Sequence, residues 1–354
     1  MTYSMKSSLT LFESHKFPRT RYQGSKYKLQ KWIKHHLEKL DFQTALDAFS
    51  GTSSISYMMK ELDKTVYSND ILKFNYFVAK ALVENSREQI TKEDFDSIIF
   101  KKEDYDYSYF IKETFEDIYF LDTENEWLDI VVQNIHQLQN EHKKAMLLWA
   151  LYQSCISKRP YNLFHRKNLY VRTADVKRNF GNKSTWDKSF EEHFLKFVKE
   201  INTATFDNYR DNRAYNSDVF ELDIEVDLVY IDTPYIPQKG TLTHYRDFYH
   251  FLDGLTDYST WHREIDYSSK HRKLKSTYNI WEDKKKILEG FENLIKKFQN
   301  SILVISYRSD GVPTIEEIAD ILKKYGKRVQ IETIDYQYVL SKKQNLQEVL
   351  IIGE

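Results

Sequence analysis

The chain is poor in the residues that cross-link or interrupt small folds. Its 354 residues include one cysteine, five prolines and nine glycines. The single cysteine, Cys155, excludes a disulfide framework and a cysteine-based zinc site, and it is typical of a reducing compartment. Its neighbours are mostly apolar, which favours a buried structural thiol over a catalytic one. The length suits one large domain or two modest ones.

Long hydrophobic runs and an excess of one charge are also lacking. No apolar stretch reaches the ~18 residues of a transmembrane helix, and the N-terminus lacks the apolar core of a signal peptide. We therefore expect a cytoplasmic protein with no membrane partner. Lysine and arginine number 52 against 53 for aspartate and glutamate, so only local patches can indicate a nucleic-acid partner.

The most informative stretch is Val226–Pro237, which reads VDLVYIDTPYIP. Its apolar start predicts a buried strand, and the strand ends at Asp232-Thr233-Pro234-Tyr235 because proline cannot continue a central strand. In open α/β sheets, ligands bind at this carboxyl edge. The group suits a planar amine on an aromatic base: Asp232 and the Thr233 carbonyl accept its two N–H groups, and Tyr235 stacks on the ring. The alternative is a strand end with an ordinary β-turn.

The amino-terminal part has the pattern of a nucleotide-type pocket. Thr44–Phe49 reads as a strand, and the small-residue loop Ser50-Gly51-Thr52-Ser53 leads from it into a helix. A second strand, Thr65–Ser68, ends at Asn69-Asp70, about 20 residues after the glycine, where an acidic residue usually binds a ribose diol. The spacing differs from that of a P-loop, since no Gly-Lys-Ser/Thr follows.

A second glycine-containing loop precedes this unit. Thr20–Lys28 reads TRYQGSKYK and runs into an amphipathic helix, so its Gly24 and Lys26 lie near a helix N-terminus. Such a position favours anion binding. The alternative is a capped surface helix with solvated lysines.

The middle of the chain changes its charge along the sequence. Glu84–Asp129 is acidic and lacks glycine and proline, which predicts solvent-facing structural helices. Ser157–Lys188 is basic and interleaved with asparagine and aromatic residues, a composition that suits contacts with DNA phosphates and base edges. The cations expected to bind DNA include Lys158, Arg159, Arg166, Lys167, Arg172, Lys177 and Arg178. The alternative is a solvated charged surface.

The carboxyl-terminal part returns to a sheet pattern. Asn216–Phe220 predicts that the sheet resumes, and Thr241–Lys275 predicts a flexible flap. Ser301–Tyr307 reads as a buried strand. Val329–Tyr338 and Glu348–Ile352 are joined by a short polar link, Ser341–Leu346, so they predict an antiparallel hairpin that closes a mostly parallel sheet.

The chain carries these features in order: TRYQGSK, DAFSGTS, SND, a basic insertion, NSD, DTPY and ISYRSDG. In these motifs and in their order, it resembles the Dam-type adenine-specific DNA methyltransferases, which use S-adenosylmethionine. The resemblance implies an α/β fold: the family's seven-stranded, Rossmann-like sheet with a terminal antiparallel hairpin and an inserted, mainly helical target-recognition region. It places the catalytic domain at 18–84 and 206–354 and the inserted DNA-recognition region at 85–205. The implied activity is methyl transfer to the exocyclic amine of adenine in a specific duplex DNA sequence, within a restriction-modification system.

The resemblance also implies roles for individual residues. Lys26 would complement the carboxylate of the cofactor, Asp70 would bind its ribose and Asp218 its adenine amine. Two positions depart from the family pattern: Ser53 stands where a second glycine is frequent, and Thr233 replaces a proline whose carbonyl is the group required. The implied cofactor-binding residues are Tyr22, Gly24, Lys26, Asp47, Phe49, Ser50, Gly51, Asp70 and Asp218, and the target adenine would be held by Asp232, Thr233, Pro234 and Tyr235.

The expected partners are S-adenosylmethionine, double-stranded DNA and a separately acting cognate restriction endonuclease, and the expected state is a monomer. No metal is required, because the cofactor already carries a positive charge and a good leaving group. Two alternatives stay open: an amino-methyltransferase that acts on cytosine, RNA or protein glutamine, and a DNA-binding subunit without activity. Intact Asp232, Asp70 and Lys26 argue against the inactive subunit.

Overall fold

A central seven-stranded sheet organises the computed structural model, which describes residues 15–18, 20–175, 183–238, 244–336 and 346–354. The strands are β1 (Thr44–Asp47), β2 (Thr65–Asn69), β3 (Arg213–Tyr215), β4 (Leu228–Ile231), β5 (Ile236–Pro237), β6 (Ile302–Arg308), β7 (Gly311–Val312), β8 (Val329–Asp335) and β9 (Gln347–Gly353). The sheet order is β3-β2-β1-β4-β6-β9-β8, and β5 pairs with β7 separately. The first five strands of this order run parallel, whereas β9 is antiparallel to both of its neighbours. The predicted α/β sheet is confirmed.

Strand β4 shows why this sheet reads as apolar runs. Leu228 and Tyr230 pack into the core on one face of the sheet, and Val229 and Ile231 pack into the core on the other. Successive side chains of a strand point to opposite faces, so a strand covered on both faces needs apolar residues throughout. The short strand that follows the long insertion is Arg213–Tyr215 rather than Asn216–Phe220, so Asp218 lies in the loop after β3.

The terminal hairpin is formed by β8 and β9. Val329 lies opposite Gly353, and Asp335 lies opposite Gln347. Because β9 sits between β6 and β8, it is an interior strand, which explains the long apolar run VLII after Glu348. The hairpin is as predicted, and residues 341–345 of its predicted link lie outside the described residues.

Helices cover both faces of the sheet. The face that packs with the helical insertion carries α1 (Gln30–Leu37), α2 (Ser54–Glu61) and α3 (Lys73–Ala79), which continues into a π-helical turn at Lys80–Glu84. The other face carries helices near the carboxyl end. In chain order the remaining helices are α4 (Lys92–Ile99), α5 (Phe110–Thr114), α6 (Asp122–His136), α7 (Glu141–Ser157), α8 (Tyr170–Thr173), α9 (Lys183–Asp187), α10 (Phe190–Ala204), α11 (Tyr245–Thr256), α12 (Trp261–Glu264), α13 (Ile287–Lys297) and α14 (Ile315–Lys324).

The prediction of a flexible flap at Thr241–Lys275 is wrong for its described part, 244–275. Helices α11 and α12 pack into the helical region, where Tyr249 and Trp261 are buried. Trp261 stands 4.9 Å from the Phe115 ring, centroid to centroid. Trp261 also packs directly on Gly254 of α11, where a Cβ would lie 1.8 Å from the indole. Tyr249 and Trp261 therefore belong to the core, whereas Tyr267, after α12, is exposed.

The acidic stretch Glu84–Asp129 is also more buried than predicted. Phe95 and Ile111 lie in the core, and so does the carboxylate of Asp129. Asp129 accepts hydrogen bonds from the backbone N–H groups of Ile111 and Lys112 at 2.8 and 2.9 Å. Its burial raises the pKa of Asp129 to about 6. Some of the acidic residues thus stabilise buried backbone instead of facing solvent.

Candidate functional site

A cavity of about 650 Å³ opens at the carboxyl ends of β1, β2 and β4. This volume is within the range of small-molecule sites, and the position is the one at which open α/β sheets bind ligands. Every residue predicted for the cofactor or the target base lines this cavity: Tyr22, Gly24, Lys26, Asp47, Phe49, Ser50, Gly51, Asp70, Asp218, Asp232, Thr233, Pro234 and Tyr235. The structure thus brings the two predicted groups together, while their individual roles stay predictions.

The loop around Gly24 is fixed by helix α11. The backbone N–H of Gln23 donates to the Tyr249 hydroxyl at 2.8 Å, and the Tyr22 ring stacks on that of Tyr249 with 4.4 Å between centroids. Gly24 has φ of +86°, and a Cβ there would lie 2.4 Å from the Tyr245 hydroxyl oxygen. Glycine is required at this point for its backbone conformation and for the close approach of Tyr245. Sequence reasoning missed the contribution of α11, which it assigned to a flap.

Asp47 ends β1 as a buried carboxylate, with only 1% of its surface exposed. One carboxylate oxygen accepts a hydrogen bond from the Ser56 hydroxyl at 2.6 Å, and the other has no partner among the described residues. Burial raises the pKa of Asp47 to about 7, although the Ser56 hydrogen bond opposes the shift. An oxygen of Asp47 can therefore receive a donor from a ligand in the cavity.

The loop after β1 uses left-handed backbone at two positions. Gly51 has φ of +49° and Ser53 has φ of +57°. A left-handed conformation costs a non-glycine residue about 1–2 kcal/mol, which explains why glycine is frequent where Ser53 stands. The departure at Ser53 thus changes the strain of the loop but preserves its path.

Asp70, at the end of β2, holds this loop in place. Its carboxylate accepts from the backbone N–H groups of Gly51 and Leu72, both at 2.9 Å, and from the Asn75 amide at 3.1 Å. Burial raises the pKa of Asp70 to about 6, despite these hydrogen bonds. An ionised carboxylate offers about four acceptor positions, so a further donor can bind to Asp70.

An aromatic wall forms another side of the cavity. The Trp281 ring stacks on Phe220 with 5.7 Å between centroids and meets Phe49 edge to face at 5.1 Å. Asp218 lies beside this wall, where its carboxylate accepts from the Phe220 N–H at 3.0 Å. Sequence reasoning missed Trp281, and its only signal was a tryptophan within a polar stretch. Flat apolar surface next to a carboxylate suits an aromatic ring that carries an amine.

Asp232 belongs to a compact cluster of charged and hydroxyl groups, the Lys26 cluster (Lys26, Asp232, Tyr235, Ser306 and Glu348). The Lys26 ammonium lies 2.6 and 2.7 Å from the two Asp232 oxygens, 2.6 Å from the Tyr235 hydroxyl and 3.4 Å from Glu348 Oε1. The Tyr235 hydroxyl is within donating distance of Asp232 at 2.7 Å and of Glu348 at 3.0 Å. Ser306 donates to Glu348 at 2.8 Å. The carboxylate at the predicted catalytic position is thus held by two donors.

The charged groups of this cluster are buried, and the attraction between Lys26 and the two carboxylates offsets the cost of burying them. The side chains of Lys26 and Glu348 are 7% and 0% exposed. Burial opposes the ammonium, but the carboxylates of Asp232 and Glu348 outweigh it and raise the pKa of Lys26 above its ordinary value. Burial also raises the pKa of Asp232, while Lys26 opposes that rise. The sequence assigned Lys26 to the cofactor carboxylate, whereas the structure pairs it with Asp232, because these carboxylates are its nearest buried anions.

Three of the predicted DNA-binding cations serve the interior instead. The Arg159 guanidinium is buried and donates to backbone carbonyls, among them that of Leu163 at 3.1 Å, and to the Asn168 side chain. Lys158 and Arg172 each lie 2.7 Å from a carboxylate oxygen of Glu124. In this structure the three cations are paired inside the protein, which argues against a place on the DNA surface, and their DNA-binding roles stay predictions.

Of the four remaining predicted cations, two belong to the described residues and two do not. Arg166 and Lys167 are exposed, on the loop between α7 and α8. Lys177 and Arg178 lie outside the described residues. Residues 158–172 contact the site through α11: the Phe164 N–H donates to the Phe248 carbonyl at 2.9 Å. The exposed part of the basic segment is thus next to a helix that lines the cavity.

Two further properties bear on the class of site. Across the described ranges, no group of three or more histidine, cysteine, aspartate or glutamate side chains is arranged to hold a metal ion. No helix among the same residues has the length and apolar character needed to cross a membrane.

Comparisons with known proteins agree with this geometry. The family described as D12 class N6 adenine-specific DNA methyltransferase matches residues 22–310. The chain is 32% identical to the type II methyltransferase M2.HphI of Haemophilus parahaemolyticus, over 94% of this chain and 96% of that protein. It is 27% identical to the modification methylase StsI of Streptococcus sanguinis, over 91% of this chain and 49% of that protein. It is 25% identical to the modification methylase LlaI of Lactococcus lactis, over 90% of this chain and 51% of that protein. The chain therefore spans about half the length of these two relatives. On the match over most of its length, the chain belongs to the D12 class of N6 adenine-specific DNA methyltransferases.

Proposed function

We propose that this DNA methyltransferase binds S-adenosylmethionine in the cavity at the strand ends and transfers the methyl group to the N6 amine of an adenine flipped out of duplex DNA. One observation carries the proposal. The Asp232 group and the buried carboxylates Asp47 and Asp70 face the same cavity. A methyl donor held at the ends of β1 and β2 would meet an amine held at the end of β4.

The cavity fits the proposed cofactor in charge and in shape. S-adenosylmethionine carries a sulfonium and an ammonium, and the unpartnered oxygen of Asp47 offers a buried acceptor to a cationic group. Asp70 has capacity for a ribose hydroxyl, and the wall of Phe49, Phe220 and Trp281 suits the adenine ring. When bound, the cofactor supplies a methyl group activated by a positive sulfur.

The protein's part in the transfer is to hold and polarise the amine. Asp232 and the Thr233 carbonyl would each accept a hydrogen bond from one amine N–H group. These two hydrogen bonds would direct the nitrogen lone pair toward the methyl group. A preorganised carboxylate in a buried site stabilises the positive charge that develops on the nitrogen, without reorganisation during the reaction. Positioning and electrostatics thus supply the rate acceleration.

The target base must leave the double helix to reach this position. Flipping costs a few kcal/mol. Stacking on an aromatic side chain such as Tyr235 returns roughly 1–3 kcal/mol per base. The exposed cations Arg166 and Lys167 lie on the loop that packs on α11, where they would contact the DNA backbone around the flipped base.

Methylation of adenine is tested with labelled cofactor. Unmethylated duplex DNA is incubated with the protein and S-adenosylmethionine that carries a tritiated methyl group, digested to nucleosides and separated. We expect label in N6-methyladenine, and transfer by Asp232→Ala that is slower by about 100-fold or more. Label in cytosine alone, or transfer only when RNA replaces DNA, would contradict the proposal.

We also propose that the chain is the modification component of a restriction-modification system, since the relatives above are named modification methylases or type II methyltransferases. Such a component methylates one short sequence at every occurrence. Single-molecule sequencing of DNA from cells that express the chain should therefore reveal a single motif modified near completeness. Scattered partial modification without a motif would contradict this role.

A further inference from the structure

We propose that Glu348 is a positioning residue for methyl transfer: it receives Lys26 and the Tyr235 hydroxyl when the target amine takes their place on Asp232. The inference rests on the proposed methyl transfer. It concerns a side chain on β9, far in sequence from Asp232, that lies next to the reacting group.

Lys26 and Tyr235 already occupy Asp232 as hydrogen-bond donors. Both of its oxygens accept from Lys26, and one of them also lies 2.7 Å from the Tyr235 hydroxyl. An amine that donates to Asp232 competes with these donors. In a buried site a displaced donor needs another acceptor, because an unpaired buried donor is unfavourable.

Glu348 is that second acceptor. Its Oε1 lies 3.0 Å from the Tyr235 hydroxyl and 3.4 Å from the Lys26 ammonium, so small movements transfer both donors to it. A tyrosine hydroxyl has one hydrogen and donates to one carboxylate at a time. Ser306 holds Glu348 in place from β6 with a 2.8 Å hydrogen bond. The geometry thus provides two positions for the same hydrogen atom.

Burial and charge explain why the second acceptor is ionisable. The Glu348 side chain is fully buried in strand β9, where the apolar residues VLII follow it. A buried carboxylate is retained only when it is paired. When the amine binds to Asp232, Lys26 needs another negative partner. With a neutral side chain at position 348, the Lys26 ammonium would stay on Asp232 and compete with the amine.

Glu348→Gln tests this, since it keeps the size and the hydrogen-bonding oxygen but removes the charge. We expect the single-turnover methylation rate to fall about 10- to 100-fold, as for loss of a buried charged partner, with unchanged calorimetric affinity for S-adenosylmethionine. Glu332→Gln on the neighbouring strand β8 is the matched control, because this carboxylate lies on the same hairpin outside the Lys26 cluster. The control should match the wild-type protein in both measurements.

The pH profile separates positioning from general damage. Among the described residues, the ionisable groups that face Asp232 are Lys26, Asp47, Tyr230, Tyr235, Tyr245 and Glu348. The negative charge of Glu348 raises the pKa of Asp232, so its removal lowers that pKa. The acid limb of the single-turnover rate should therefore move to lower pH in Glu348→Gln, and a merely destabilised variant would not show this shift.

A gentler variant keeps the inference testable if Glu348→Gln fails to fold. Ser306→Ala removes the hydroxyl that orients Glu348 and should lower the rate about 2- to 10-fold with unchanged cofactor affinity. Wild-type rate and pH profile in the folded variants, or a loss of cofactor affinity that equals the loss of rate, would overturn the inference. Wild-type protein that transfers no methyl group to DNA adenine would instead contradict the proposed function itself.

Discussion

The carboxylate of Asp232 is surrounded by donors before any amine arrives, and its removal should separate chemistry from cofactor binding. In Asp232→Ala, Lys26 keeps Glu348 as a partner, so the buried ammonium stays paired. We expect single-turnover methylation to fall by about 100-fold or more, as for the loss of one preorganised partner. Calorimetric affinity for S-adenosylmethionine should stay near that of the wild type.

Asp232→Asn and Thr233→Pro serve as matched variants for this prediction. Asparagine keeps an acceptor oxygen without charge, so its loss of rate should be intermediate. Proline keeps the backbone carbonyl and an extended conformation, so Thr233→Pro should retain most activity. The assignment fails if Thr233→Pro is as inactive as Asp232→Ala while it still folds and binds the cofactor.

Asp47 should make the stability of the protein depend on pH. The folded protein keeps a proton on Asp47 up to about pH 7, whereas the ordinary value is 3.8. Between these values the folded state binds more protons than the unfolded state, so this group lowers the free energy of unfolding by up to ~1.4 kcal/mol per pH unit as pH rises. Asp47→Asn removes the effect, and above pH 7 it should be more stable than the wild type by about 1–4 kcal/mol.

Urea unfolding at several pH values measures this difference. The stability gain of Asp47→Asn should grow from pH 4 to pH 7 and then level off. Asp41→Asn, which changes an exposed carboxylate just before β1, should show no such growth. A gain that is independent of pH would mean that Asp47 is ionised throughout and that its burial is compensated.

Among the elements, α11 carries the sharpest packing constraint. Gly254→Ala places a Cβ 1.8 Å from the Trp261 ring, so the ring or the helix must shift. Overpacking of this kind costs about 1–3 kcal/mol. Gly290→Ala on α13 is the control, because its Cβ meets neighbours only at 3.4 Å or more, and alanine in a helix gains up to about 1 kcal/mol over glycine.

Thermal unfolding distinguishes the two glycines. We expect a lower midpoint for Gly254→Ala and an equal or higher one for Gly290→Ala. If 244–264 were a loosely attached flap, Gly254→Ala would leave the midpoint unchanged. A mobile segment contributes little to the cooperative unfolding of the rest.

The sequence predicted those elements whose signals are local. β1, β4 and β6 are apolar runs covered on both faces, and the hairpin of β8 and β9 follows from two strand patterns separated by a short link. Helix α11 was misread because its core includes aromatic side chains such as Tyr249, whose partner Gln23 lies 226 residues away in the sequence. Spacing within a segment does not reveal which distant segment will cover it.

The site divides in the same way. The residues of the cavity walls came from short motifs, each placed at the end of a strand, so they could be predicted. Glu348 and Trp281 were missed because each acts through contacts with another part of the chain. The burial of Arg159 could not be predicted from a count of charges, because it depends on backbone carbonyls and on the rings of Tyr119 and Phe164. The one available signal for Glu348 was a carboxylate within an apolar strand.

For the whole molecule, the exposed part of the basic segment should set the affinity for DNA. Arg166→Ala combined with Lys167→Ala removes two cations, and each lost phosphate contact reduces the slope of log affinity against log salt by about 0.9. Cofactor affinity should not change. Lys323→Ala with Lys324→Ala on α14, across the sheet from the helical region, is the matched control. If the control alters the slope as much as the pair at 166 and 167, DNA binds to a different surface.

Arg159 should behave differently from its exposed neighbours. Arg159→Met leaves the Leu163 and Arg166 carbonyls without their buried donor, so the protein should lose about 2–4 kcal/mol of stability. Once the variant is compared at a temperature where it is folded, its salt slope for DNA should equal that of the wild type. A reduced slope with unchanged stability would restore Arg159 to the DNA surface.

The packing also bears on domain organisation. The sequence divided the chain into a catalytic part at 18–84 and 206–354 and an inserted region at 85–205. Contacts such as that between the hydroxyls of Tyr152 and Thr256 at 2.7 Å join α11 to α7. We propose that 245–264 belongs with the inserted helical region, so that the chain enters that region twice.

The interior position of β9 imposes an order of events on biosynthesis. Strand β6 has an unpaired edge until β9 has been made, and Lys26 lacks Glu348 until the same moment. Until β9 has been translated, a nascent chain therefore lacks a complete Lys26 cluster, and the edge of β6 is open to wrong pairing. We therefore expect DNA methylation only from chains that have been translated through β9. A stop codon shortly before β9 should remove activity while leaving every motif of the cavity wall in the product.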